Sequence, residues 1–121
     1  MKYVDGFVLA VKKSKIKEYK KMAEMGKKMW LKYGALEYVE AVGDDLKSAS
    51  KWGCWTFPKM AKTKLDEKVV FAFIVYKSKA HRNLVNRKVM KLMDNEHHKQ
   101  MPFDMKRMAV GGFKVMVGGK K

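Results

Sequence analysis

Three carboxylates stand inside apolar segments of this sequence, and their placement points to chemistry more directly than any other polar feature. Asp5 interrupts the run YVDGFVLAV, and Glu37 and Glu40 lie within ALEYVEAV, where alternation points them to opposite faces of a strand. A carboxylate removed from water needs hydrogen-bond donors, a cation or a water-filled cavity. Asp5 and Glu40 are therefore candidates for a general base or a ligand anchor. The simpler interpretation is a buried ion pair, for example of Asp5 with Lys106 or Arg107.

His81 is a third candidate catalytic residue, because it lies near the apolar face of a predicted helix, one turn after a strand ends. Its imidazole could relay a proton at the mouth of a pocket, or simply bind backbone or a carboxylate at the helix start. No metal site is predicted, since His97 and His98 are adjacent and Cys54 is the only cysteine. Neither a phosphate-binding loop nor a dinucleotide fingerprint occurs, so we expect no tightly held cofactor.

The segment MPFDMKRM, residues 101–108, combines a proline turn, an aromatic ring, a carboxylate and two cations. Asp104 and Arg107 could pair and fix this loop. Alternatively, Lys106 and Arg107 could hold an anionic ligand. The predicted ligand-binding residues are Tyr3, Phe103, Asp104 and Arg107.

Hydrophobic periodicity predicts the elements that must position these residues. The predicted strands are 2–12, 35–44, 69–77 and 113–117. The predicted helices run from Ser14, as N-cap, to Gly34 and from 79 to about 93. The long connection 45–68 is expected to pack as a flap or an extra hairpin. The resulting order, β-α-β-β-α-β, predicts an α+β domain with one antiparallel sheet and both helices on the same face.

The predicted strand 69–77 raises the question of what covers the second face of the sheet. Its sequence, VVFAFIVYK, is apolar at successive positions, so Phe71 and Phe73 point to one face and Ile74 to the other. Helices on one face leave an uncovered surface of roughly 570 Å², from four strands about 30 Å long and about 4.8 Å apart. That area is near the upper end of what monomers expose. We therefore expect a homodimer that closes sheet against sheet.

Length and composition limit the class of protein. The 121 residues, of which 47% are apolar, suffice for the core of one domain spanning 1–121. No stretch reaches the roughly 18 apolar residues of a membrane-spanning helix, so no membrane partner is predicted. Asp5 interrupts the N-terminal apolar run, which is predicted as a strand rather than a signal peptide. With one cysteine and no predicted signal, we expect a cytoplasmic protein.

The chain is strongly basic. Its net charge is +16, and 25 of its 28 basic residues are lysine. Bidentate phosphate contacts and base-specific contacts favour arginine, whereas a lysine coat gives a diffuse positive field. The favoured interpretation is a solvated surface. Weak, non-specific nucleic-acid binding through the Lys-rich helix between residues 12 and 32 is the alternative.

Several segments resemble one bacterial family, and they occur in the same order over nearly the whole chain. They are YVDGF, GALEYVE, VYKSKAHRN, VNRKVM and MPFDMKRMAVGGFK. On these segments the chain resembles the YbaA-like family (domain of unknown function 1428). The resemblance implies the ferredoxin-like fold of the dimeric α/β-barrel superfamily and its sheet-to-sheet dimer. It implies no activity, because family members are without an established one.

Two segments depart from the family pattern. This chain has KWGCWTFP where the family has a plainer connection, and Val110 where the family has an aromatic residue before GGF. If these positions line a pocket, the ligand of this protein differs from that of its relatives.

Together these features predict a cytoplasmic homodimer that binds a small molecule in or beside the barrel. In this hypothesis Asp5 or Glu40 anchors or deprotonates the ligand, His81 relays a proton and Arg107 neutralises an anion. A non-specific nucleic-acid-binding protein is one alternative. A cofactor-free monooxygenase or isomerase is another, by analogy with other members of the superfamily. A structural dimer without a ligand is the third.

Overall fold

A computed structural model describes residues 1–93 and 101–121 of the chain. The strands are β1 (Tyr3–Lys12), β2 (Glu37–Val42), β3 (Glu67–Tyr76) and β4 (Ala109–Lys114). The helices are α1 (Ile16–Lys32), α2 (Phe57–Met60) and α3 (Lys79–Met93). His97 and His98, considered above as metal ligands, lie outside the described residues.

The four strands form one open sheet in the order β2-β3-β1-β4. The central strands β1 and β3 pair with each other, and each also pairs with one outer strand. Every neighbouring pair is antiparallel. The predicted α+β class with an antiparallel sheet is therefore confirmed.

The two long helices pack on the same face of this sheet, here called the helix face. Strand alternation places five side chains of β1 on it: Tyr3, Asp5, Phe7, Leu9 and Val11. Val85 and Val89 of α3 join a buried cluster with Tyr76 of β3. Tyr19 of α1 joins a second cluster with Leu9 of β1. Because the helix face is closed over most of its length, its polar side chains must find partners inside the protein.

The opposite face of the sheet, here called the open face, is apolar and partly bare. All four strands contribute side chains to it: Val4, Val8, Val39, Phe71, Phe73, Val75 and Phe113. Phe57 of α2 packs on Phe71 with ring centroids 6.2 Å apart. Phe71 nevertheless remains 44% exposed, and Phe113 is 61% exposed. A single copy of the chain therefore leaves much of this apolar face in water.

The last strand lies earlier in the sequence than predicted. β4 covers Ala109–Lys114 rather than 113–117, and it includes Gly111 and Gly112. Glycine weakens a strand, so a segment with two adjacent glycines is not predicted as a strand from its sequence. Gly112 lies opposite Asp5 of β1, and a Cβ at this position would overlap the side chains of Tyr3 and Arg82. The strand accepts glycine here because two larger side chains occupy the space.

Two further boundaries differ from the prediction. Ser14 does not cap α1, because it lies in a short 3₁₀ turn, Lys13–Lys15, and the helix begins at Ile16 without a side-chain cap. The connection 45–68 forms no hairpin. It contains a 3₁₀ turn, Ser48–Trp52, and α2, whose first turn is capped by the Thr56 hydroxyl. Proline at the start of α2 favours this short helix, since its fixed φ suits the first helical turn.

Candidate functional site

A groove lies between α1 and the outer strand β2, and we call it the α1–β2 groove. Its volume is about 500 Å³. That size suits a small ligand. Six apolar residues line it: Ile16, Ala23, Val39, Ala41, Val42 and Val70. The polar lining consists of Tyr19, Lys20, Glu24, Lys27, Tyr38 and Glu40.

Glu40 is the polar centre of this groove. It shares a face of β2 with Tyr38, and both oppose helix-face residues of β3. The Tyr38 hydroxyl donates to Glu40 Oε2 at 2.6 Å, and the hydroxyl of Tyr19, from α1, donates to Oε1. Gly26 of α1 makes room for this arrangement, since a Cβ there would lie 2.7 Å from the Tyr38 hydroxyl. The half-buried carboxylate is thus held between two phenols from two different elements.

Protonation of the two phenols follows from their surroundings. Burial raises the pKa of Tyr19 and Tyr38, and the hydrogen bonds to Glu40 and its charge raise the pKa further. Both hydroxyl groups therefore stay protonated across the physiological pH range. Each donates its single proton to Glu40 and has no second proton for a ligand. The polar part of the groove consequently presents acceptors, namely carboxylate and phenolic oxygens.

Phe103 reaches this region from the segment before β4. Its ring meets the Tyr19 ring edge-on, with centroids 5.8 Å apart and an interplanar angle of 69°. Such contacts fix the orientation of both rings. Of the predicted ligand-binding residues, Phe103 therefore touches the groove indirectly, through Tyr19.

Asp5 belongs to a second cluster, between β1 and α3, which we call the Asp5 network. Its members are Tyr3, Asp5, Trp30, Tyr76, Arg82 and Asn86. Asn86 is the hub: its Oδ1 accepts from the Trp30 indole and the Tyr76 hydroxyl, each at 3.0 Å. Its Nδ2 donates to Asp5 Oδ2 at 3.3 Å.

The buried ion pair predicted for Asp5 is present, but neither Lys106 nor Arg107 is its partner. Arg82 of α3 is the cation instead, with its Nε 3.1 Å from Asp5 Oδ1. The guanidinium also stacks on the Tyr3 ring, 4.9 Å from its centroid, and donates to the Tyr3 hydroxyl at 3.2 Å. Because Asp5 is buried and already has a cation and an amide donor, this network fits a brace between α3 and the sheet.

Arg107 forms a third cluster, the Arg107 clamp, with Glu67, Asp104 and the carbonyl of Lys62. Its two terminal nitrogens donate to the two Glu67 oxygens at 2.7 and 2.6 Å. It also donates to Asp104 Oδ2 and to the Lys62 carbonyl, each at 3.1 Å. The hydrogen bonds from Arg107 lower the pKa of Glu67 to about 2, and they also lower the pKa of Asp104.

The Arg107 clamp joins three segments of the chain: the end of the 45–66 connection, the start of β3 and the turn before β4. It therefore agrees with the predicted Asp104–Arg107 pair that fixes the loop. A cavity of about 220 Å³ borders the clamp, with Lys12 and Lys15 at its edge. Since the donors of Arg107 are already bound, little of its guanidinium remains for an anionic ligand.

His81 occupies the first turn of α3, and its ring meets the Tyr76 ring of the Asp5 network edge-on, with centroids 6.1 Å apart. Its Nδ1 accepts from the Lys77 amide at 3.0 Å, and its own amide donates to the Ser78 hydroxyl at 3.0 Å. It thus adopts the helix-start arrangement, one of the two predicted alternatives. In residues 1–93 and 101–121, no three His, Cys, Asp or Glu side chains come close enough together to hold a metal ion. No helix in this part of the chain is long and apolar enough to cross a membrane.

Sequence reasoning grouped the candidates into one pocket, whereas the structure distributes them. Tyr3 and Asp5 lie in one cluster, Glu40 in another, and Asp104 and Arg107 in a third. The residues that it missed are Tyr19, Tyr38, Glu67, Arg82 and Asn86. Alternation within β2 already places Tyr38 on the same face as Glu40, so this partner could have been found from the sequence. The others come from distant segments, and their contacts depend on the packing of helices.

The fold and the groove describe an α+β protein with an apolar cleft around one carboxylate. The family described as "Protein of unknown function (DUF1428)" matches residues 2–105. The chain is 38% identical over 118 residues to "Uncharacterized protein YbaA" of Escherichia coli strain K12, covering 97% of this chain and 98% of that protein. The protein of the same name in Shigella flexneri matches equally well. The chain therefore belongs to this family of unknown function.

The de novo designed protein Foldit4 aligns with 95% of this chain and 99% of its own, at a TM-score of 0.46 and 9% identity. This likeness is too weak to carry an argument about fold or function.

Proposed function

We propose that the protein is a homodimeric α/β-barrel protein that binds a small molecule in the α1–β2 groove, with Glu40 as its polar anchor. One observation carries this proposal: the groove combines an apolar lining with a carboxylate whose two oxygens are held by phenols. Ligand sites generally have this composition, in which apolar walls surround a few fixed polar groups.

The carboxylates of the other two clusters differ from Glu40, and this difference supports Glu40 as the anchor of a ligand. Asp5 and Glu67 are each paired with an arginine at 3.1 and 2.6 Å. In the described residues, no lysine or arginine lies within ion-pair distance of Glu40. Both buried carboxylates of the described residues thus have a cation, whereas the half-buried Glu40 has none.

The dimer part of the proposal rests on the open face. The strand order and the two crossovers agree with a ferredoxin-like arrangement, and the open face is apolar on all four strands. A second copy packed on this face would remove it from water and complete a barrel. The groove is on the helix side of β2, so each copy would carry its own groove beside the barrel.

A screen of small molecules by methyl NMR tests the groove. We expect the compounds that bind to shift the methyl signals of Ile16, Val42 and Val70, which line it on the helix face of the sheet. Ala23→Trp should abolish these shifts, since Ala23 of α1 also lines the groove and an indole would fill it. Ala80→Trp, an exposed position on α3, is the matched control. Binding that persists in Ala23→Trp would contradict the groove as the site.

Nucleic-acid binding remains a second candidate because of one observation on α1 and the turn before it. Seven lysines there are exposed: Lys13, Lys15, Lys17, Lys20, Lys21, Lys28 and Lys32. Such a surface should bind phosphates without sequence preference, and the affinity should fall steeply as salt rises. A titration with a random-sequence oligonucleotide at several salt concentrations measures this directly. A cofactor-free oxygenase or isomerase rests on fold analogy alone, and no described contact favours it.

A further inference from the structure

The hydrogen-bonding capacity of the α1–β2 groove restricts the chemistry of its ligand. The only protons on the two phenols are already donated to Glu40. The carboxylate and phenolic oxygens retain free lone pairs, so this end of the groove can accept hydrogen bonds but hardly donate them. A ligand that reaches Glu40 must therefore supply N–H or O–H groups itself.

The charges around Glu40 restrict the chemistry of the ligand further. The carboxylate is half-buried beside aliphatic side chains, and its described partners, Tyr19 and Tyr38, are neutral. A carboxylate in such surroundings is stabilised by a cation that can enter the groove. The two tyrosine rings add faces that attract a positive charge. A ligand with a cationic donor thus fits this position better than a neutral alcohol or an acid.

Lysines at the rim of the groove limit the number of positive charges that the ligand can carry. Lys20 and Lys27 of α1 border the groove, and Lys27 is paired with Glu24 at 3.0 Å. The net charge of the chain is +16, so a second positive charge at the rim meets repulsion. The aliphatic walls between rim and Glu40 require an apolar body for the ligand.

We infer that the α1–β2 groove takes a small organic monoamine, an ammonium group on an apolar body, with the ammonium against Glu40. The inference rests on the proposed function, because it names the ligand class of that same groove. The ammonium donates to the Glu40 oxygens and to the phenolic oxygens, and the body covers Val42 and Ala23. Neither Lys20 nor Lys27 takes part in binding.

A series of isosteric probes on the unaltered protein tests this inference. The probes are n-hexylamine, 1-hexanol, hexanoate and 1,6-diaminohexane, followed by methyl NMR of the groove and by calorimetry. Hexylamine should bind at least about tenfold more tightly than the alcohol and the acid, the difference expected for a charge-assisted hydrogen bond. The diamine should bind more weakly than the monoamine, because its second ammonium faces the lysines.

Two variants of equal charge change locate the ammonium. Glu40→Gln should lower the affinity for hexylamine by about tenfold or more and leave that for hexanol nearly unchanged. Glu37→Gln, on the same strand but the opposite face, should bind hexylamine as the unaltered protein does. Tyr38→Phe keeps the Glu40 charge and should retain the preference for the amine. This variant tests the inference if Glu40→Gln does not fold.

The outcomes separate the ligand class from the groove itself. If hexanol or hexanoate shifts the groove methyl signals as strongly as hexylamine does, the amine class is wrong and the groove remains a binding site. Equal affinity of Glu40→Gln and Glu37→Gln for hexylamine also overturns the amine class. If no probe of any charge, and no screened compound, shifts those signals, both the inference and the proposed function fail.

Discussion

Asp5 and Glu40 show that the role of a carboxylate in an apolar strand depends on the side chains that contact it. Both are acidic residues within apolar strands, and both point to the helix face. Asp5 meets an arginine and an amide donor, so its charge is neutralised inside the protein. Glu40 meets two neutral phenols, and these orient its charge without cancelling it. Of two similar carboxylates, therefore, the one without a described cation is the better candidate for binding.

Glu67 provides a test at the scale of a single residue. Its pKa falls to about 2 in the folded protein because of its hydrogen bonds with Arg107, compared with 4.5 ordinarily. A group with a lowered folded pKa stabilises the protein above its unfolded pKa, and this contribution is lost as pH falls through the folded value. The unfolding free energy should thus decline between about pH 5 and pH 2.

The size of this effect is limited by solvent. The pKa change corresponds to at most about 3 to 4 kcal/mol, and screening around the partly exposed Arg107 reduces it to roughly 1 to 2 kcal/mol. Urea denaturation at pH 7, 5 and 3 measures the decline. Glu67→Gln should be less stable than the unaltered protein at pH 7 and should lose less stability on acidification. Equal pH slopes for the two proteins would contradict this account of the Arg107 clamp.

At the scale of elements, the sequence predicts what local patterns control. β1, β3 and α3 lie close to their predicted positions, because long apolar runs and a periodic face specify them. β4 begins earlier than its sequence predicts, because Gly112 is explained only by Tyr3 and Arg82, which belong to other elements. The same limit applies to the candidate site. Glu40 was chosen from its strand, whereas its partner Tyr19 lies 21 residues away on a helix.

Gly112 tests this explanation of β4. Alanine ordinarily suits a strand better than glycine does, by about 0.5 to 1 kcal/mol. At position 112, however, a Cβ would overlap the Tyr3 hydroxyl and the Arg82 guanidinium, so Gly112→Ala should destabilise the protein by about 1 to 3 kcal/mol. Gly111→Ala is the control, since its Cβ would make only an ordinary contact, 3.5 Å from Phe113. Denaturation of both variants should show a loss for Gly112→Ala alone.

At the scale of the whole molecule, charge and apolar surface oppose each other. Two copies that associate through the open face each carry a net charge of +16 and repel one another. Salt screens this repulsion and strengthens apolar association, so the proposed dimer should become tighter as salt rises. Nucleic-acid binding by the same lysines should become weaker. The sign of the salt dependence therefore distinguishes the two kinds of partner for one protein.

Phe113 is the residue with which to test the dimer. It is 61% exposed on the open face of a single copy, so Phe113→Lys should cost little in the stability of that copy. In a dimer it would place a charge in a dry interface, which is strongly unfavourable. Sedimentation velocity at micromolar concentration should show a dimer for the unaltered protein and a monomer for Phe113→Lys. Leu31→Lys, an equal charge change at a 42% exposed position on α1, should remain dimeric. A monomeric unaltered protein at both low and high salt would exclude the dimer, and the apolar open face would then need another partner.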